Sequence, residues 1–102
     1  MQEQSTTEIL QQFSSFVIDL RAQQNAGTVG FEGDSIAQII GLQAQALAEK
    51  HFIAENAFSL LTHCAKMVIG FTIASEQGAM PAAACQENIA LVIVKVAEAL
   101  DS

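Results

Sequence analysis

In each stretch between its turn signals, this chain repeats apolar residues every three or four positions, the spacing that gives an α-helix one buried side. The first stretch is the clearest. Setting successive residues about 100° apart gathers Ile9, Leu10, Phe13, Phe16, Val17 and Leu20 into an arc of roughly 120°, with Gln11, Gln12, Ser15 and Asp19 outside it. Ile18 is the exception. Ser5 stands three residues before Glu8, a capping box in which each side chain satisfies a backbone N–H at the other position, so the helix is expected to start there. Arg21 suits the negative C-terminal end of the helix dipole, and Gly27 supplies a stop.

From Gly27 to Asp34 the stretch "GTVGFEGD" carries Gly27, Gly30 and Gly33 and reads as a loop, with Phe31 expected to plug the core from it. A phosphate cradle does not fit. The spacing matches neither GxGxxG nor the P-loop, and no Lys-Ser/Thr pair follows. Asp34 or Ser35 is expected to cap a second helix on which Ile36, Ile39, Ile40, Ala44 and Leu47 share a stripe. Gln43 falls inside that stripe, where an unsatisfied buried amide would cost about 1–3 kcal/mol.

The apolar phase then continues almost unbroken from Ile36 to Phe71. One helix from Ser35 to Gln77 would span about 64 Å at 1.5 Å per residue, more than its flanking helices could cover in a compact monomer. A turn is therefore expected near "KHFIAEN", while an unbroken helix would require an oligomer. Gly78 is a C-cap signal, and Pro81 occupies a favoured first-turn position of a last helix from about Pro81 to Leu100. "LVIVKV" is β-branched enough to resemble a strand, yet Cys85, Ile89, Val92, Ile93, Val96, Ala97 and Leu100 project onto one half of a helix. Leu91 and Val94 then point the other way, among Glu87, Lys95, Glu98 and Asp101.

"HFIAENAFSLLTHCAKMVIGF" holds both histidines and one of the two cysteines. On a helical projection Cys64 lies near the middle of an arc of roughly 200° that includes Ala57, Phe58, Leu60, Leu61, Val68 and Phe71. His63 is about 100° away, beside Glu55, Asn56, Ser59 and Lys66. Neighbours in the chain, the two do not form a nucleophile and base, and a cysteine in mid-stripe behaves as a small hydrophobe. His51 and His63 would stand about 18 Å apart on one helix, and there is neither a CxxC nor an HxxxH, so no metal site is expected. The acids are spread singly and offer no dyad for general acid/base work. No catalytic, cofactor-binding or metal-binding residue is assigned.

Composition narrows the classes further. A chain of 102 residues without a linker reads as one domain, residues 1–102, and 51% hydrophobic against 15% charged is more apolar material than a lone small bundle requires. The formal net charge is −7, and Arg21, Lys50, Lys66 and Lys95 are scattered, which disfavours direct nucleic-acid binding. "MQEQSTTE" lacks the basic start of a signal peptide, and the longest apolar run, "IALVIV", is far shorter than the roughly 20 residues that cross a bilayer. The expectation is a cytoplasmic protein without membrane contact, with Cys64 and Cys85 reduced. Without Trp or Tyr, contact energy must come from Phe and aliphatic side chains.

The fold expected is all-α, a small antiparallel bundle of four helices, or three if the middle pair is continuous. The leading function is a non-enzymatic protein-binding module of inhibitor, immunity, antitoxin or chaperone type, working through an apolar helical face in acidic surroundings. Its interface would include Leu91, Val94, Lys95 and Glu98, and a protein partner or a homodimer is expected there. A homo-oligomeric scaffold is the alternative, and an enzymatic or small-ligand-binding bundle comes third.

Overall fold

Ser5 caps the first helix through its side chain. In a computed structural model, which describes residues 5–27, 33–53 and 55–101, Ser5 has extended backbone angles and its hydroxyl accepts the Glu8 N–H at 3.2 Å. Helix α1 then runs Thr6–Ala26 and ends at Gly27, whose φ of 69° lies in the left-handed region. Ile9, Leu10, Phe13, Val17 and Leu20 are buried as the projection expects, while Phe16 and Ile18 are half-buried. Arg21 lies more than a turn before the end of α1 and serves a neighbouring helix instead of the dipole. Its guanidinium pairs with Glu76 at 3.1 Å, and Glu76 also accepts from Asn25 at 2.9 Å.

Helix α2 is Gly33–His51, so it starts ahead of the two residues expected to cap it. Asp34 and Ser35 fall within its first turn. Their side chains, Phe31 and the remainder of the glycine loop lie outside the described residues. Ile36, Ile40 and Ala44 are buried, with Ile39 and Leu47 packed against them. Gln43 is half-buried, so its amide keeps access to water instead of facing a dry core.

The middle helices are separate. α2 ends at His51 and α3, Ala57–Glu76, starts after Asn56, with the Asn56 carbonyl accepting the Leu60 N–H at 3.0 Å. Ala57, Leu61, Cys64, Ala65 and Val68 are buried on α3. Phe58 departs from the projection: it was expected on the buried arc and is 45% exposed, because it lies at the edge of that wide arc in the first turn. At the far end Gly78, φ 77°, closes α3 through a Schellman arrangement, with Gly78 N–H on the Ser75 carbonyl at 3.1 Å and Ala79 N–H on the Ala74 carbonyl at 2.9 Å. α4, Ala82–Asp101, begins one residue after Pro81, whose carbonyl accepts the Cys85 N–H at 3.0 Å. Proline suits this place because it has no N–H to leave unpaired.

Four helices and no strand are found among the described residues, a small all-α four-helix bundle. α1 and α3 each pack on the other three helices, whereas among the described residues α2 and α4 do not touch. α3 is also the most apolar helix, long and apolar enough by length and composition alone to cross a membrane. The core runs from Leu10, Phe13 and Val17 through Leu61, Cys64 and Val68 to Ile93, Val96 and Leu100. The start of α1 meets the end of α4 where the Thr6 hydroxyl donates to the Asp101 carboxylate at 2.6 Å.

Candidate interaction site

Among the described residues α4 packs only on α1 and α3, which leaves one side of it without a neighbour among them. Cys85, Ile93, Val96, Ala97 and Leu100 are spent on the core. Leu91 and Val94 point outward and are 57% and 48% exposed. Lys95 and Glu98 are exposed on the same side, since residues three, four and seven positions beyond Leu91 share its helical face. The four residues singled out in the sequence are therefore gathered on one open surface, an apolar pair with a cation and a carboxylate beside it.

Next to that surface lies a groove of about 340 Å³ between α3 and α4, lined on one wall by His63, Met67 and Phe71 and on the other by residues including Asn88, Leu91 and Lys95. Its construction follows from the short connection at Gly78 and Pro81. That connection makes α3 and α4 an antiparallel hairpin in which His63 lies level with Lys95, Met67 with Leu91 and Phe71 with Asn88. From the sequence, Leu91 points away from the core face with Lys95 beside it, and the groove is not legible there. The available signal was the turn length, which fixes the register of the two walls.

Three further large apolar side chains are exposed away from α4: Leu42 at 68%, Ile53 at 102% and Phe58 at 45%. Phe58 borders a second groove between α2 and α3, with Gln45, Ala48 and Glu49. Leu42 shares the outer side of α2 with Gln45 and Glu49, which hydrogen bond to each other at 3.4 Å.

The adjacent residues His63 and Cys64 are divided between solvent and core. Cys64 is fully buried and His63 exposed. The Cys64 sulfur has the Ser14 hydroxyl 3.9 Å away, and burial pushes its thiol up while that contact lowers it. This is the opposite of the cationic, open setting that makes a thiolate nucleophile. His51 is exposed at the end of α2, its ring edge-on to Phe52 with centroids 6.3 Å apart. Among the described residues no three His, Cys, Asp or Glu side chains converge as a metal site.

Compared with protein-family models, with curated proteins and with solved structures, the chain matches none.

Proposed function

We propose that this chain is a small non-enzymatic protein-binding module, and that its contact surface is the outer face of α4 around Leu91 and Val94. The observation that carries the reading is the exposure of these two large aliphatic side chains on a helix whose other side is already spent on the core. Covering an apolar side chain gains about 25 cal/mol per Å², so a pair of this size supplies part of a contact, with Lys95 and Glu98 at its rim giving specificity. A second copy of the chain is the first partner to expect. A twofold contact uses each exposed residue twice, and Lys95 and Glu98 offer both signs of charge to an identical face.

The acidic balance supports a protein partner over nucleic acid, since the net charge is −7 and no cluster of Lys and Arg is available to neutralise phosphates. The same reading takes the protein as acting in the cytoplasm, off the membrane and without a cofactor. Its test is solution mass measured alongside capture of partners from the native host at moderate salt. A mass of twice 10.8 kDa without any added protein supports the homodimer. A chain that stays at 10.8 kDa and captures nothing through Leu91 and Val94 defeats the reading.

A further inference from the structure

We propose that the groove between α3 and α4 is a binding site for a single-chain amphiphile with one anionic head group. The head group sits at the end formed by His63 and Lys95, and the chain lies over Met67, Leu91 and Phe71.

The two ends of the groove are chemically different, and the antiparallel register makes them so. His63 on α3 and Lys95 on α4 stand level, so the ionisable side chains that line the groove are both at one end and both basic in type. Among the described residues, no acidic one lines it. In a chain with eleven acidic and four basic residues, that exclusion gives the groove a charge preference opposite to the protein as a whole. The one ion pair among the described residues is Arg21 with Glu76, so Lys95 is not committed to a carboxylate there.

The other end cannot hold a head group well. Asn88 is its polar residue, and its amide nitrogen already donates to the Ala84 carbonyl at 2.9 Å, with the Met80 sulfur 3.7 Å away. Between the ends, Met67, Phe71, Leu91 and Val92 present an apolar surface, and methionine adapts its shape to a flexible chain. From His63 to Phe71 the wall extends about 12 Å at 1.5 Å per residue, the reach of a medium-length alkyl chain. A volume of about 340 Å³ is at the small end for ligand sites, which selects one chain over a two-chain lipid.

This proposal does not rest on the protein-binding reading, but Leu91 and Lys95 serve both, so amphiphile and partner chain compete for them and dodecanoate should lower the solution mass of a dimer. The test is titration of the full chain with dodecanoate below its micelle concentration, followed by calorimetry and by the Met67 methyl NMR signal. Dodecanol and dodecyltrimethylammonium serve as neutral and cationic controls. The expected result is one dodecanoate per chain with the Met67 methyl shifted, at least tenfold weaker binding of dodecanol, and none of the cationic amphiphile. Lys95→Gln, at an exposed position, should keep the fold and lose most of the preference for dodecanoate over dodecanol. Absence of dodecanoate binding, equal binding of all three, or an unchanged preference in Lys95→Gln would overturn the proposal. Solution mass is read separately, so a monomeric protein that binds dodecanoate contradicts the homodimer and leaves the groove assignment standing.

Discussion

The sulfur of Cys64 lies 3.9 Å from the hydroxyl of Ser14, and both groups are buried where α1 packs on α3. The thiol is thus a core group with a weak polar neighbour. Native protein should therefore resist thiol reagents at Cys64 until it unfolds, and His63→Ala should change stability by no more than about 0.5 kcal/mol because His63 is exposed. Cys64→Ala should cost about 1–2 kcal/mol through the space it leaves, measured by urea unfolding. The pH dependence follows from the raised thiol. The unfolded chain releases that proton first, so this contribution to stability is full below the ordinary thiol range and is lost as pH rises toward the folded value. Cys64→Ala should flatten that alkaline decline.

Glu76 joins the end of α3 to α1 by accepting from both Arg21 and Asn25. Glu76→Gln keeps an oxygen for Asn25 and removes only the ion pair, whereas Glu76→Ala removes both. Because the pair is partly exposed, at 28% and 35%, the expected loss for Glu76→Gln is about 0.5 kcal/mol, shrinking as salt is added. Glu76→Ala should lose about 1 kcal/mol, with a remainder that salt does not remove. Thermal unfolding at two salt concentrations separates the two contributions.

Glycines at two places should respond in opposite ways to alanine. Gly78 has φ 77° and closes α3, and a Cβ there meets nothing within 4 Å, so Gly78→Ala should destabilise by about 1 kcal/mol through backbone conformation alone. Gly70 lies inside α3 with equal space around it, and Gly70→Ala should stabilise by about 0.5–1 kcal/mol. Equal effects of the two substitutions, in either direction, would contradict the assigned helix end.

These features differ in how readily the sequence discloses them. Ser5, Gly27 and Gly78 act through local backbone chemistry, so helix ends were legible wherever a cap decides them. The start of α2 was not, because Asp34 and Ser35 are good caps and good first-turn residues alike, and the structure puts them in the second role. Phe13, Leu61, Val68 and Leu100 were legible from period alone, since each lies near the centre of its stripe. Phe58 at the stripe's edge and Ser14 in the core were decided by how α1, α2 and α3 pack, which period does not encode. The open face at Leu91 and Val94 could be read from one helix, whereas the groove beside it required the register of two.

The central claim is that the Leu91 and Val94 face of α4 joins one chain to another, and sedimentation equilibrium tests it most directly. At micromolar concentration the wild type should sediment at twice 10.8 kDa, while the double variant Leu91→Glu, Val94→Glu should sediment at 10.8 kDa with its helical circular dichroism retained. The substitutions remove up to four apolar side chains from a twofold contact and place like charges across it, a penalty of several kcal/mol. A wild type of 10.8 kDa would contradict self-association, and a double variant that remains an equally tight dimer would show that the contact lies elsewhere.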